Sequence, residues 1–170
     1  MHPADIRTDL ELTVRELSDT YEELSLLYKL LDRFSGMDVD EISEHVVEET
    51  LNTLAVKTSA LLFTDENNEQ LYTKSFRGKW DKNIIITRED KIIWDAIDRK
   101  KPIAFCKLSD AGYTDYAYAE NSILVCPLVG KAKVLGALIL ADRISDNEFY
   151  SNDIKLITAI TSHAALSIEN

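Results

Sequence analysis

The chain has 170 residues, of which 45% are hydrophobic and 29% charged, the proportions of one soluble domain able to bury a core. A formal net charge of −11 argues against a nucleic-acid partner and against an anionic membrane surface, since both demand clustered Lys and Arg. The longest apolar run, Val134–Ala141, is far short of the about 20 residues that span a bilayer, and the N-terminus lacks the apolar core of a signal peptide. The two cysteines fall in apolar runs, as free thiols of a reducing compartment would, and a cytoplasmic protein is expected.

A helix is predicted from about Asp9 to Phe34. Leu10, Leu17, Leu24 and Leu31 recur every seven residues, and Val14, Tyr21 and Tyr28 fall four after the first three leucines. Leucine at d with β-branched or aromatic residues at a is the pattern of a two-stranded parallel coiled coil. Glu11, Arg15, Glu16, Ser18, Glu22 and Glu23 flank the seam. At ~1.5 Å per residue the helix would be roughly 40 Å long, more than a compact domain needs. The other reading is an amphipathic helix packed on its own domain. Leu27, Leu30 and Phe34 widen the apolar stripe, so the C-terminal half is expected to dock locally.

After Ser35-Gly36-Met37, the pair Asp38 and Glu41 resembles a capping box for a second helix lined by Ile42, Val46, Thr50 and Leu54. Its glutamates, Glu41, Glu44, Glu48 and Glu49, are read as a solvated face rather than a metal site, because no histidine pair or calcium-loop spacing accompanies them. Ser59–Thr64 and Gln70–Phe76, parted by the turn-rich Asp65–Glu69, form a hairpin. Asn83–Thr87 is a strand, and Thr87 is placed as the cap of a short helix burying Ile93, Trp94 and Ile97. Ile103–Cys106 is a further short strand. Lys107–Asn121 is irregular and aromatic, with Tyr113, Tyr116 and Tyr118 among Asp110, Asp115 and Glu120; long aperiodic loops in compact domains are functional or mobile.

Ser122–Arg143 then gives two apolar runs around Gly130-Lys131-Ala132-Lys133, a hairpin. Ile123, Val125 and Val129 would face one side and Leu124, Cys126 and Leu128 the other, so the pair should sit mid-sheet with layers above and below. Gly136 allows close backbone approach, and Pro127, lacking an N–H, implies a bulge or turned strand end. Ser151 or Asn152 is placed as the cap of a last helix whose core stripe is Leu156, Ile157, Ile160, Ala164 and Ile168. Ala159, Ser162 and Leu166 form a thinner second seam. With no cap or tail after Glu169-Asn170, that helix is expected to continue beyond the chain.

The element order and the wording of the second half resemble a GAF domain. The carrying residues are Ser122-Ile-Leu-Val-Cys-Pro127-Leu128, Val134-Leu-Gly136-Ala-Leu-Ile-Leu140, Phe149, Asp153, and the closing helix that ends Ala-Ala-Leu-Ser-Ile-Glu-Asn170. The resemblance covers roughly Asp38–Asn170, which divides the chain into a dimerisation helix (1–36) and a GAF-like sensory domain (37–170). It implies an α+β fold: a six-stranded antiparallel sheet with the N- and C-terminal helices on one face and a short helix and loops on the other. It also implies a non-catalytic sensor that binds a small molecule and controls an effector domain of a longer protein. The Leu17–Leu31 region resembles the helical linkers that precede such domains.

Candidate ligand residues are Phe63, Phe105, Tyr113, Asp115, Tyr116, Tyr118, Phe149 and Asp153, the tyrosines forming a lid over a sheet face that presents Phe63 and Phe105. A candidate homodimer interface comprises Leu10, Val14, Leu17, Tyr21, Leu24 and Tyr28 with Ala159, Ser162 and Leu166. Cyclic-nucleotide-binding members carry Asn-Lys, Phe and Asp-Glu after the central hairpin. Here Phe149 and Asp153 match, Arg143 keeps the charge, and Asp142 and Ile154 depart, which disfavours that ligand; the other reading makes Phe149 a core plug and Asp153 a helix-dipole partner. No metal is expected and no cofactor is specified: Cys106-Lys107 and Cys126-Pro127 lack the bilin-attachment pattern, and His45 and His163 are read as structural. The competing reading is a ligand-free dimerisation module with its pocket filled by side chains. A cysteine-dependent free methionine sulfoxide reductase, one branch of the family, is disfavoured because Lys107–Asn121 contains no cysteine and Cys126 lies in an apolar strand.

Overall fold

The computed structural model describes residues 3–144 and 148–170, apart from the side chains of Pro3, Ala4, Asp19, Glu22, Glu23, Leu26, Leu30 and Leu31. The heptad leucine Leu31, the stripe residue Leu30 and the flanking Glu22 and Glu23 therefore lie outside the described side chains. The element order is α1 (Pro3–Phe34), α2 (Val39–Leu54), β1 (Val56–Thr64), β2 (Gln70–Gly78), β3 (Ile85–Thr87), α3 (Lys91–Arg99), β4 (Ile103–Phe105), β5 (Ile123–Val129), β6 (Val134–Arg143) and α4 (Ser151–Glu169). The strands form one antiparallel sheet of six in the order β3-β2-β1-β6-β5-β4. The spine is thus β1 with β6, and β5 lies one strand from an edge.

Period-two alternation sorts each strand onto two apolar faces. Leu61, Leu124, Cys126, Leu128, Leu138 and Leu140 meet α2, α4 and the end of α1, where Phe34, Val46, Ile157 and Ile160 complete a core. Ala60, Leu62, Ile123, Val125, Ala137 and Ile139 form the opposite core with Ile93, Trp94 and Ile97 of α3 and Leu108 and Ala119 of the following loop. The β1–β6 contact requires Gly136: a Cβ there would lie 1.9 Å from the Leu62 carbonyl oxygen. Pro127 falls beyond the three-residue reach of β4, where β5 has no partner to receive an N–H, and the β5–β6 register shifts at Leu128/Val129.

The helix caps differ in part from expectation. Asp38 does cap α2, its Oδ1 accepting the Glu41 N–H at 2.8 Å. Thr87 does not cap α3; Asp90 does, accepting from Ile93 N–H. The cap of α4 is Tyr150, one residue before the polar pair, and Asp153 accepts its N–H at 3.0 Å. At α3 the capping carboxylate has a second partner, the Tyr116 hydroxyl, and at α4 Asp153 is held also by Arg143. The α2 glutamates are also not merely solvated: Glu44 and Glu48 both accept from Arg77 of β2, at 2.6 and 2.8 Å, and Lys74 pairs with Asp40. Arg77 first, then Ser75, holds the Glu44 carboxyl below its ordinary value against an opposing effect of burial.

Most of α1 projects from this body. Leu10, Val14, Leu17, Tyr21, Leu24 and Tyr28 are 46 to 74% exposed, whereas Leu27 packs on the helix-side core and Phe34 is buried. Among the described residues no helix is long and apolar enough to cross a membrane.

Candidate functional site

The face opposite the terminal helices is closed by α3 and by residues 107–121. This loop is tied down at both ends. At its start, Leu108 donates its N–H to the Asn121 carbonyl and its own carbonyl accepts the Tyr113 N–H. At its end, the carboxylate of Asp142 accepts three backbone N–H groups, from Glu120 (3.0 Å), Asn121 (2.7 Å) and Ser122 (3.1 Å). Asp142 adopts a left-handed φ of 62°, a conformation that Asp tolerates better than most residues.

Between those anchors runs a row of aromatic rings. Phe105 meets Tyr113 edge-on (5.5 Å between centroids), Tyr113 meets Tyr116 (6.3 Å), Tyr116 meets Tyr118 (5.7 Å), and Tyr118 meets Trp80 (5.2 Å). Trp80 is held by its indole N–H, which donates to Thr73 Oγ1 at 3.0 Å. Tyr116 donates its hydroxyl proton to Asp90 Oδ2 at 2.6 Å, so one carboxylate caps α3 and latches the loop. Burial, and then the Asp90 hydrogen bond, push the Tyr116 phenol well above its ordinary value; burial also raises Tyr118.

A cleft of about 440 Å³ opens between this loop and the β3–α3 corner, lined by Ile86, Thr87, Lys91 and Asp115 besides the tyrosines and Asp90. That volume falls within the range of about 300–1,000 Å³ usual for small-molecule sites. Tyr113, Asp115, Tyr116 and Tyr118 are therefore brought together at the cleft, whereas Phe105 does not line it and reaches the row only through its contact with Tyr113.

Phe63, Phe149 and Asp153 are not brought to this cleft. Alternation along β1 sends Leu62 to the cleft side and Phe63 to the helix side, where its ring meets Tyr72 at 6.3 Å. Phe149 is buried in the helix-side core. Asp153 accepts from Arg143 at 2.7 Å, and the Arg143 guanidinium lies 5.6 Å from the Phe149 ring centre. Arg143 also donates to the Glu148 carbonyl. These residues staple the end of β6 to the start of α4.

Trp80, Asp90 and Asp142 were not anticipated as site residues. Asp142 carried a signal only as a departure from a sequence pattern, and Trp80 reaches the tyrosines through space from the β2–β3 connection. Ala159, Ser162 and Leu166 are half-buried on α4, against which α1 packs. Cys126 lies on the helix side, its sulfur 3.3 Å from Thr161 Oγ1, and burial pushes its thiol up. His163 is exposed. His45 sits half-buried with its ring edge-on to Phe34 at 6.2 Å. Among the described residues no group of three His, Cys, Asp or Glu is arranged to hold a metal ion.

The family whose sequence model matches residues 36–169 is described as a GAF domain. No curated protein sequence matches the chain. Similar solved structures include the GAF domain of a phosphoenolpyruvate-protein phosphotransferase from Acinetobacter, at 14% identity and TM-score 0.73, covering 87% of this chain and 93% of that one. The free methionine-R-sulfoxide reductase from Neisseria meningitidis, in complex with its substrate, aligns at 12% identity and TM-score 0.74, over 86% and 88% of the two chains. The second GAF domain of DevS from Mycobacterium smegmatis aligns at 18% identity and TM-score 0.65, over 78% and 94%. At these identities the likeness is one of fold.

Proposed function

The chain belongs to the GAF domain family, and from that premise we propose that it is a non-catalytic regulatory domain of a cytoplasmic signalling protein. In this reading a small molecule enters the cleft under the tyrosine loop, and the domain pairs with a second copy through α1, with the outer seam of α4 beside it. The terminal helices pass the occupied state to an effector domain. The observation that carries the reading is the 440 Å³ cleft on the sheet face opposite the terminal helices, which separates a place to sense from a place to pair.

The pairing is supported by Leu10, Leu17, Leu24, Tyr21 and Tyr28 of α1, which are exposed along the very stripe that a partner helix would cover. The cytoplasmic placement is supported by two free thiols, Cys106 and Cys126. The sulfoxide reductase named among the structural relatives is a fold likeness only; here residues 107–121 hold no cysteine, and Cys126 is buried on the other face of the sheet.

Two measurements on the full chain test the proposal. Sedimentation is expected to give a dimer that Leu17→Asp converts to a folded monomer; a monomeric wild-type chain at high concentration would sink the coiled coil. A small-molecule screen read by the Trp80 indole N–H resonance is expected to find ligands that move it. If nothing shifts that resonance while the dimer persists, the chain is a ligand-free dimerisation module instead.

A further inference from the structure

The lining of the cleft is electrically lopsided. Glu89, Asp90 and Asp115 bring three carboxylates to it against one cation, Lys91. The first turn of α3 adds the fractional positive end of a helix. That charge is already answered, because the Asp90 carboxylate lies on it and accepts from Ile93 N–H at 3.1 Å. Glu89 and Asp115 are exposed and make no hydrogen bond or ion pair within the described residues, so their charges are free to meet a ligand.

The aromatic walls favour the same sign. Tyr113, Tyr116 and Tyr118 follow one another edge to face, with interplanar angles of 75° and 83°, so successive rings turn their π faces through near right angles. A ring face carries the negative lobe of its quadrupole and attracts a cation within about 6 Å. Burial is the main cause that raises the Tyr116 and Tyr118 phenols, and the negative charge of Asp90 adds to the rise in both. Ile86 and the tyrosine ring edges supply an apolar wall for the remainder of a ligand.

Resting on the reading of this cleft as a small-molecule site, we infer that it takes a cationic, ammonium-bearing small molecule with an apolar body and discriminates against phosphates and carboxylates. The ammonium sits against the tyrosine faces, and Glu89 and Asp115 neutralise it. An anion entering the same space meets three carboxylates and a single lysine, and the excess of negative charge repels it.

Three probes with one aromatic body separate charge from shape: 2-phenylethylammonium, 2-phenylethanol and phenylacetate. Each is titrated into the full chain while the Trp80 indole resonance and the amides of residues 85–92 and 113–118 are followed. The ammonium is expected to bind at least about tenfold more tightly than the carboxylate, with the alcohol between them and the gap narrowing as salt rises. The double variant Glu89→Gln, Asp115→Asn is expected to lose most of that gap while keeping the alcohol's affinity. Asn accepts the left-handed φ of 58° at position 115, and both sites are exposed, so the fold is kept. Phenylacetate binding as tightly as the ammonium, or more so, overturns the charge assignment and leaves the cleft as a ligand site. If none of the three probes shifts the cleft resonances of the folded chain, the cleft reading and the charge assignment fall together.

Discussion

The two faces of the sheet are made by the same strands, with alternate residues, and are equally dry where they meet the covering layers; what covers them is different. On one side α2, α4 and the end of α1 bring aliphatic stripes at helical spacing. On the other, one nine-residue helix and an irregular loop complete the cover, and the gap they leave is the cleft. Neighbouring residues at the end of β6 fasten each cover: Asp142 gathers three loop N–H groups, and Arg143 reaches Asp153 at the start of α4. The helix side has hollows of its own, one of about 470 Å³ along α2 beside Arg77 and one of about 180 Å³ between Phe63, Leu135 and Ile168, but among the described residues only the loop side brings a row of aromatic rings to its cleft. The division between a helix-covered and a loop-covered face thus arises within one sheet.

The largest effect should abolish the comparison by destroying what the faces share. Gly136→Ala places a methyl group 1.9 Å from the backbone oxygen of Leu62, and neither strand can yield without breaking the β1–β6 ladder. A loss of at least about 3 kcal/mol is expected, seen as a lower urea midpoint. Both cores should loosen together in amide exchange; protection lost on one face alone would contradict a common spine.

The next pair of substitutions should split the faces. Asp142→Ala leaves three N–H groups without their acceptor, and a cost of about 2–3 kcal/mol is expected. Hydrogen exchange should rise through residues 107–121 while α4 stays protected. Arg143→Met removes the partly exposed ion pair to Asp153, whose carboxylate keeps the Tyr150 N–H and a favourable place at the helix start. About 1 kcal/mol is expected, with fraying confined to the first turns of α4. If either variant loosens the opposite cover as much as its own, the two clasps are not independent.

How much of this was legible follows from the range of the interactions. The sorting of Ile123 and Val125 against Leu124, Cys126 and Leu128 is written at a spacing of two residues, and it holds in the fold. So does the role of Gly136, because a glycine inside an apolar strand already asks what approaches it. Phe149 and Asp153 carried a family pattern, but a pattern along the chain does not state which face it serves; the segment after β6 crosses to α4, and the residues went with it. Asp142 was hidden for a related reason. The three N–H groups it gathers lie 20 to 22 residues earlier, and no local rule links a carboxylate to them. Trp80 joins the tyrosine row only because β2 and β3 turn back beside the loop. Likewise Phe63 looked equivalent to Phe105 until β1 registered against β6 and set its parity.

The smallest effects are pH responses, at His45 on the helix side and Tyr116 on the cleft side; the buried Cys126 thiol adds a separate alkaline contribution on the helix side. On the helix side, burial lowers the His45 pKa from its ordinary value of about 6.5, with Glu49 opposing the shift and Arg33 adding to it. The unfolded chain therefore binds this proton more readily, and the His45 contribution, intact above about pH 6.5, is lost as pH falls toward the lower folded value. On the cleft side, the raised Tyr116 pKa means that the folded chain keeps its phenolic proton after the unfolded chain has lost it. That contribution is intact below about pH 10 and is lost as pH rises beyond it. Unfolding free energies measured from pH 5 to 11 should show His45→Gln flattening only the acid arm and Tyr116→Phe only the alkaline arm. Exchange at pH 10.5 should localise the second effect: residues 107–121 open first in the wild type, because the phenolate that forms on opening can no longer donate to Asp90. An alkaline opening that begins in α2 or α4 instead would show that the tyrosine latch does not set the stability of its face.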